Sequence, residues 1–193
     1  MSGAYGCYAD VALGGHPTID AAMGMAKRAH HGQRYGIEPY VTHLATVATI
    51  TALCTNSIDV IAAAWLHDSI EDTVITRDGI SAVINSHVAS LVDAVTDGVG
   101  GSRAERKLRP YRLIPEAPDA IVIKLADRIA NVNHCVLTQN RRLALMYYSE
   151  DELFREMLLG SPAPSTRNDA VDLWRQLEND INDPRFSGLC DTR

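Results

Sequence analysis

Ile58-Asp59-Val60-Ile61-Ala62-Ala63-Ala64-Trp65-Leu66-His67-Asp68-Ser69-Ile70-Glu71-Asp72 is the run whose reading decides the fold of this chain. Taken as one helix, it places His67, Glu71, Asp68 and Asp72 at about 0°, 40°, 100° and 140°, all on one side. Ala62, Ala63, Leu66 and Ile70 fall at about 220° to 320°, the side on which an amphipathic helix meets its core. Ser57 stands just ahead as an N-cap. The spacing predicts a helix over 58–72 whose acidic face lines a cleft.

Outward from this run the pattern stays helical. Pro17, at an N1 position, opens a repeat of Ile19, Ala22, Met23 and Ala26 that ends at Gly32. Pro118 with Asp119 opens a helix through Asp127, matching the proline preference at N1 and the dipole's preference for acid. Ser149-Glu150-Asp151-Glu152 has the capping-box pattern and is expected to start another helix. Thr166 with Asp169 starts the last, which Pro184 stops. Ser161 to Ser165, with Pro162 and Pro164, reads as a short connector. No run alternates as a strand would. The expectation is an all-α single domain over 16–183, with a flexible tail at 1–15 and a C-terminal tail at 184–193.

A second polar stripe lies on the Asp127 helix. With Lys124 at 0°, Asp127, Asn131, Arg128 and His134 fall within about 80° of it, while Leu125, Ile129 and Val132 cluster elsewhere. That stripe is either part of a site or a solvated face with ordinary ion pairs, Lys124 with Asp127 and Asp127 with Arg128. Alone, a His-Asp dipeptide or a histidine near a helix start says little. In order, however, His43, His67-Asp68 and Asp127 supply two imidazoles and two carboxylates. That mixed nitrogen and oxygen set suits a divalent ion such as Mn²⁺, with positions left for water and a phosphoryl oxygen, and so points to phosphate-ester hydrolysis.

Four motifs in sequence then resemble one family. Ala29-His30-His31-Gly32-Gln33-Arg34, Glu38-Pro39-Tyr40-Val41-Thr42-His43, Trp65-Leu66-His67-Asp68-Ser69-Ile70-Glu71-Asp72-Thr73 and Lys124-Leu125-Ala126-Asp127-Arg128 are similar to the hydrolase domain of RelA/SpoT homologues, in the HD-domain superfamily. The chain resembles a stand-alone small alarmone hydrolase. The resemblance implies an HD-type bundle of about ten helices. It implies one Mn²⁺ on His43, His67, Asp68 and Asp127, and an attacking water oriented and deprotonated by Glu71 and Asp72. It implies substrate contacts at Arg34 and Asn131, and removal of the 3′-pyrophosphate of ppGpp or pppGpp. The chain departs from the family where Tyr35-Gly36-Ile37 replaces Lys-Ser-Gly and where Val132-Asn133-His134 replaces Met-Arg-Thr. Guanine recognition therefore transfers less directly than the metal chemistry, and His134 is a candidate nucleoside contact.

A formal net charge of −6 gives no broad positive field for nucleic acid. A small phosphorylated nucleotide needs only local cations. Lys124 is one candidate; Arg103, Arg106 and Lys107, beyond the glycine-rich 98–101 segment, are others, either as a phosphate-facing lid or as a solvated basic helix. Cys7, Cys54, Cys135 and Cys190 are too scattered for a metal knot or a disulfide framework, so reduced structural thiols and a cytoplasmic location are expected. Nothing reads as a membrane span, and the oligomeric state is left open. Two other readings stay open: a different HD-type nucleotidase acting on nucleoside mono- or triphosphates, and a non-catalytic nucleotide-binding module.

Overall fold

The computed structural model describes residues 14–159 and 168–190. Most of the expected N-terminal tail, the Ser161 to Ser165 connector and the Thr166 cap lie outside the described residues. Within them the chain runs α1 (Pro17–Ala29), a hairpin of β1 (Arg34–Tyr35) and β2 (Glu38–Pro39), α2 (Tyr40–Cys54), α3 (Ile58–Leu66), the single turn α4 (Ser69–Asp72), α5 (Arg77–Val83) and α6 (Ser86–Val95). It continues through α7 (Arg103–Leu113), a 3₁₀ turn, α8 (Ala120–Thr138), α9 (Arg141–Leu159), α10 (Asn168–Asn182) and α11 (Pro184–Cys190). The architecture is all-α, as expected.

Two helices form the interior. Every residue from Val60 to Leu66 of α3 is buried, and α8 is buried from Ala120 to Val132 except at Asp127. A helix that is apolar all round can only be an inner one; α3 packs against α1, α2, α6 and α8, and α8 against α2, α3, α6, α9, α10 and α11. The small side chains Ala62, Ala63 and Ala64 permit that close packing. The expected amphipathic helix over 58–72 is therefore corrected. It breaks at His67, which keeps helical angles, while Asp68 moves to φ −96°, ψ −2° before α4 begins. Carboxylates at 68, 71 and 72 cannot follow a helix sealed on every side without a large desolvation cost, and the break turns them out of the core.

Local chemistry sets the other boundaries. Pro17 and Ser57 act as expected, with the Ser57 hydroxyl accepting from the Val60 amide. The expected capping box at Ser149 to Glu152 falls inside α9 instead, and the Ser149 hydroxyl bonds back to Met146 O. Among the described residues a capping box forms at Ser102 with Glu105, which also matches the pattern but follows a glycine pair that ends the preceding segment. The expected C-terminal tail from residue 184 is, through Cys190, helix α11, with Phe186 fully buried; Pro184 starts a helix there as well as ending one. The hairpin is too short to alternate. Gly36, at φ +63°, is the first central residue of its two-residue turn, the position where a type II′ turn needs glycine.

Pro110 lies inside α7 and has no amide hydrogen to give Arg106 O. The Gly98 N–H takes that carbonyl at 2.9 Å, pinning the 98–101 segment to α7. A Cβ on Gly98 would stand 3.3 Å from the same oxygen, so the close approach needs glycine. Farther along, Glu150 of α9 ties three helices together. It accepts from Arg103 Nε of α7 at 2.5 Å and from Arg128 Nη2 of α8 at 3.3 Å. Arg128 is 4% exposed and lies over the Phe154 and Tyr147 rings. Buried Cys135, its thiol pushed up to about 11 by burial, is an inert core side chain.

Two outcomes test this packing. Phe186→Ala is expected to cost about 3–5 kcal/mol in urea denaturation with an unchanged m-value; an unshifted midpoint would return 184–190 to a tail. Burial alone would raise the Glu150 pKa, but Arg103 and Arg128 outweigh it and hold the group below the ordinary range. A depressed folded pKa stabilises above the unfolded value and is lost as pH falls through the folded one. Glu150→Gln should therefore cost about 2 kcal/mol above about pH 5 and progressively less below it, read from denaturation midpoints across pH.

Candidate active site

The break after α3 and the middle of α8 meet beside the first turn of α2. His43 Nε2 lies 3.6 Å from Asp68 Oδ2 and 3.3 Å from Asp127 Oδ1. His67 Nε2 lies 2.9 Å from Asp68 Oδ2 and 3.7 Å from Asp127 Oδ1. His67 Nδ1 meets Ala64 O at 2.9 Å, so that nitrogen carries the proton and Nε2 faces the carboxylates. Buried Nε2 makes no directed hydrogen bond despite that proximity. A lone pair facing two carboxylates is repulsive unless one positive charge lies among them.

The ionisation shifts carry the same demand. Burial alone would lower the His67 pKa, but Asp68 and Asp127 outweigh it and hold it at about 10. Burial alone would raise Asp68 and Asp127; the imidazoles overcome it and keep both well below the carboxylate range. The donor atoms of His43, His67 and Asp68 lie within 4.8 Å of one another, and Asp127 Oδ1 borders both imidazoles. The orphaned Nε2 and the two-nitrogen, two-carboxylate set fit a divalent cation.

Beside this cluster stand Glu71 and Asp72. The Tyr40 hydroxyl lies 2.7 Å from Asp68 Oδ2 and 3.1 Å from Asp72 Oδ2, one proton between two carboxylates. Glu71 Oε2 accepts from the Asp97 amide at 3.2 Å. Partial burial and the Asp97 carboxylate raise the Glu71 pKa, and partial burial and Asp68 raise that of Asp72. Both are thus better proton acceptors near neutral pH than ordinary carboxylates.

The same cavity, of about 200 Å³, is also lined by Arg103, Lys107, Lys124 and Arg128. Asp97, 4% exposed, holds Lys107 Nζ at 2.9 Å and lies 3.7 Å from Lys124 Nζ, which also donates to Val95 O. The local pairs of Lys124 with Asp127 and of Asp127 with Arg128 do not form. Burial, with Lys124 beside it, lowers the Lys107 pKa. The basic segment divides by helical spacing. Arg103 and Lys107, four apart, face the cavity; Arg106 lines a neighbouring hollow and donates to Gly101 O.

Three expected contacts sit differently. Arg34 is exposed on the hairpin and does not line the cavity. Asn131 lines it but is held at both ends, by Tyr35 and by Asp127. His134 stands behind Tyr35, ring to ring at 4.1 Å, rather than at the cavity wall. Sequence reasoning missed Asp97, Glu150 and Tyr147 as neighbours of the site and placed Tyr35 only in a segment that departs from the family pattern. Tyr40, inside the Glu38-Pro39-Tyr40 motif, carried a signal without being given a role. His30, buried and stacked on Tyr40 at 4.9 Å, is a wall rather than a contact.

Comparison with known proteins places the chain in a family. Residues 22–149 match the family model described as HD domain. Over 120 residues, 59% of the chain, it is 36% identical to a probable GTP pyrophosphokinase of Mycobacterium leprae, of which it spans only 15%. It is 34% identical over 123 residues to the Homo sapiens guanosine-3′,5′-bis(diphosphate) 3′-pyrophosphohydrolase MESH1, spanning 69% of that protein. A solved structure described as a metazoan ortholog of SpoT that hydrolyzes ppGpp superposes with a TM-score of 0.67 at 25% identity, covering 91% of this chain and 98% of that one. The chain belongs to the HD-domain family.

Proposed function

We propose that this chain is a Mn²⁺-dependent phosphohydrolase that removes the 3′-pyrophosphate from alarmone nucleotides such as ppGpp and pppGpp, leaving the 5′-nucleotide. The observation that carries this is one cavity lined both by His43, Asp68 and Asp127, with buried His67 against the two carboxylates, and by four cations. His43, His67, Asp68 and Asp127 would hold the ion. Bound there, it supplies Lewis-acid polarisation of a phosphoryl oxygen and a lowered pKa for a water. Glu71 and Asp72 orient the attacking water and take its proton as its oxygen bonds to phosphorus and the bond from phosphorus to ribose O3′ breaks, and that proton then passes to O3′. Arg103, Lys107, Lys124 and Arg128 offset the phosphate charge that builds during attack.

Cavity size supports a division of labour. A space of about 200 Å³ suits a pyrophosphoryl group, while pockets enclosing whole drug-sized ligands run to about 300–1,000 Å³. The nucleoside then lies at the rim, where Arg34 and the hairpin are exposed, and base choice is weaker than choice of the scissile group. The names of the MESH1 relatives and of the SpoT ortholog support the alarmone as substrate. No described helix is long and apolar enough to cross a membrane, which accords with a cytoplasmic enzyme on a small nucleotide.

His67→Ala or Asp127→Ala should lose the metal and the activity together, measured by metal analysis and pyrophosphate release. Glu71→Gln should keep metal and substrate affinity while kcat falls by on the order of 10². Among ppGpp, pppGpp, their adenosine analogues and ordinary nucleoside mono- and triphosphates, only 3′-pyrophosphorylated compounds should release pyrophosphate. Cleavage confined to 5′-phosphates would reassign the chain to another nucleotidase, and binding without turnover would make it a binding module.

A further inference from the structure

We propose that Tyr35 is a positioning residue for the metal-binding cluster: its hydroxyl fixes Asn131 against Asp127, and its ring braces His43. The inference rests on the reading above, in which His43 and Asp127 hold a divalent ion. It concerns a side chain lying in one of the two segments where this sequence departs from the family's pattern.

The hydrogen-bond directions are forced. The ionised Asp127 carboxylate only accepts, so Asn131 must turn its amide N–H toward Oδ1, at 2.6 Å. That leaves the Asn131 carbonyl oxygen toward Tyr35, whose hydroxyl, 2.5 Å away, must donate. The oxygen of Asp127 so held is the one bordering both imidazoles. With both ends engaged, Asn131 acts as a spacer between phenol and carboxylate. Burial raises the Tyr35 pKa well above the ordinary phenol range, with Tyr147 and Asp127 adding to it, so the donated proton is retained near neutrality.

Packing aims the ring. It stacks on His43 at 4.6 Å with 28° between planes and meets His134, tilted, at 4.1 Å. Tyr35 is paired with Glu38 in the hairpin, and a Cβ on Gly36 would come within 3.4 Å of His134 Nε2. The two departures from the family pattern, Tyr35-Gly36 and His134, therefore touch. They form one brace behind the cluster, built from separate parts of the sequence. Outer partners that orient metal-binding side chains typically govern metal affinity by about 10–100-fold.

The test is calorimetric titration of Mn²⁺ into metal-stripped full-length protein, with thermal unfolding as a control. Tyr35→Phe keeps the ring and removes the hydroxyl; it should weaken Mn²⁺ binding by about tenfold with Tm nearly unchanged. Asn131→Ala should weaken it at least as much, and the double variant no further than Asn131→Ala alone, because the hydroxyl acts only through Asn131. His134→Ala, which keeps the hydrogen-bond chain, should have the smaller effect. Wild-type affinity in Tyr35→Phe, or additive losses in the double variant, would overturn the role of Tyr35 while leaving the metal reading intact. Failure of the wild type to bind Mn²⁺ would instead bring down the metal reading and this inference with it.

Discussion

His67 commits one ring nitrogen to the backbone of its own helix and presents the other, buried, to two carboxylates. That arrangement is stable only with a positive charge at its centre, and the rest of the structure is organised to tolerate it. Helix α3 from Val60 and helix α8 through Val132 are buried almost throughout, so the polar residues on those stretches have little access to solvent. They converge on each other instead. The break at His67 releases the acidic residues that follow from the apolar core, and the cavity opens at that point.

Asp97 joins the two halves of the cavity. Its amide holds Glu71, on the acidic side, and its carboxylate holds Lys107 and lies beside Lys124, on the basic side. The position of Asp97 depends on the loop that follows it, and that loop is fastened by the Gly98 amide to a carbonyl that Pro110 leaves without its helical donor. A proline inside a helix, ordinarily a defect, here frees the carbonyl that fastens the segment between a candidate base and the cavity-facing cations. Glu150 does the corresponding work for Arg103 and Arg128, tying three helices to the same wall.

Much of this was legible in the sequence, for identifiable reasons. The all-α class followed from periodicity, and the residues of the donor cluster followed from residue type, order and motif resemblance. Helix boundaries were legible where a side chain caps its own helix, as at Ser57. They were misread where a pattern occurs twice: Ser102 and Ser149 each stand three residues before a glutamate, and only tertiary packing makes one a start and the other an interior position. Phe186 was hidden by a proline that both ends α10 and begins α11. The basic segment 103–112 held alternate fates for its cations, decided by partners far away in sequence such as Asp97, Asp93 and Glu150. Such long-range pairing leaves no local signature.

Tyr35 marks the boundary between what motif resemblance carries and what it does not. The reactive groups need fixed residue types at fixed places, because a donor displaced by even about 1 Å changes the chemistry. The supports behind them need only reproduce an orientation. A phenol reaching Asn131 from a short hairpin and a ring packed on His43 meet that requirement without any particular residue being obligatory at 35. The hairpin can therefore change sequence while the cluster it backs keeps its composition, provided a compensating contact, here His134, fills the space behind it. Residues of the exposed rim, Arg34 among them, are freer still, since nothing there is bound by the charge balance that fixes the interior.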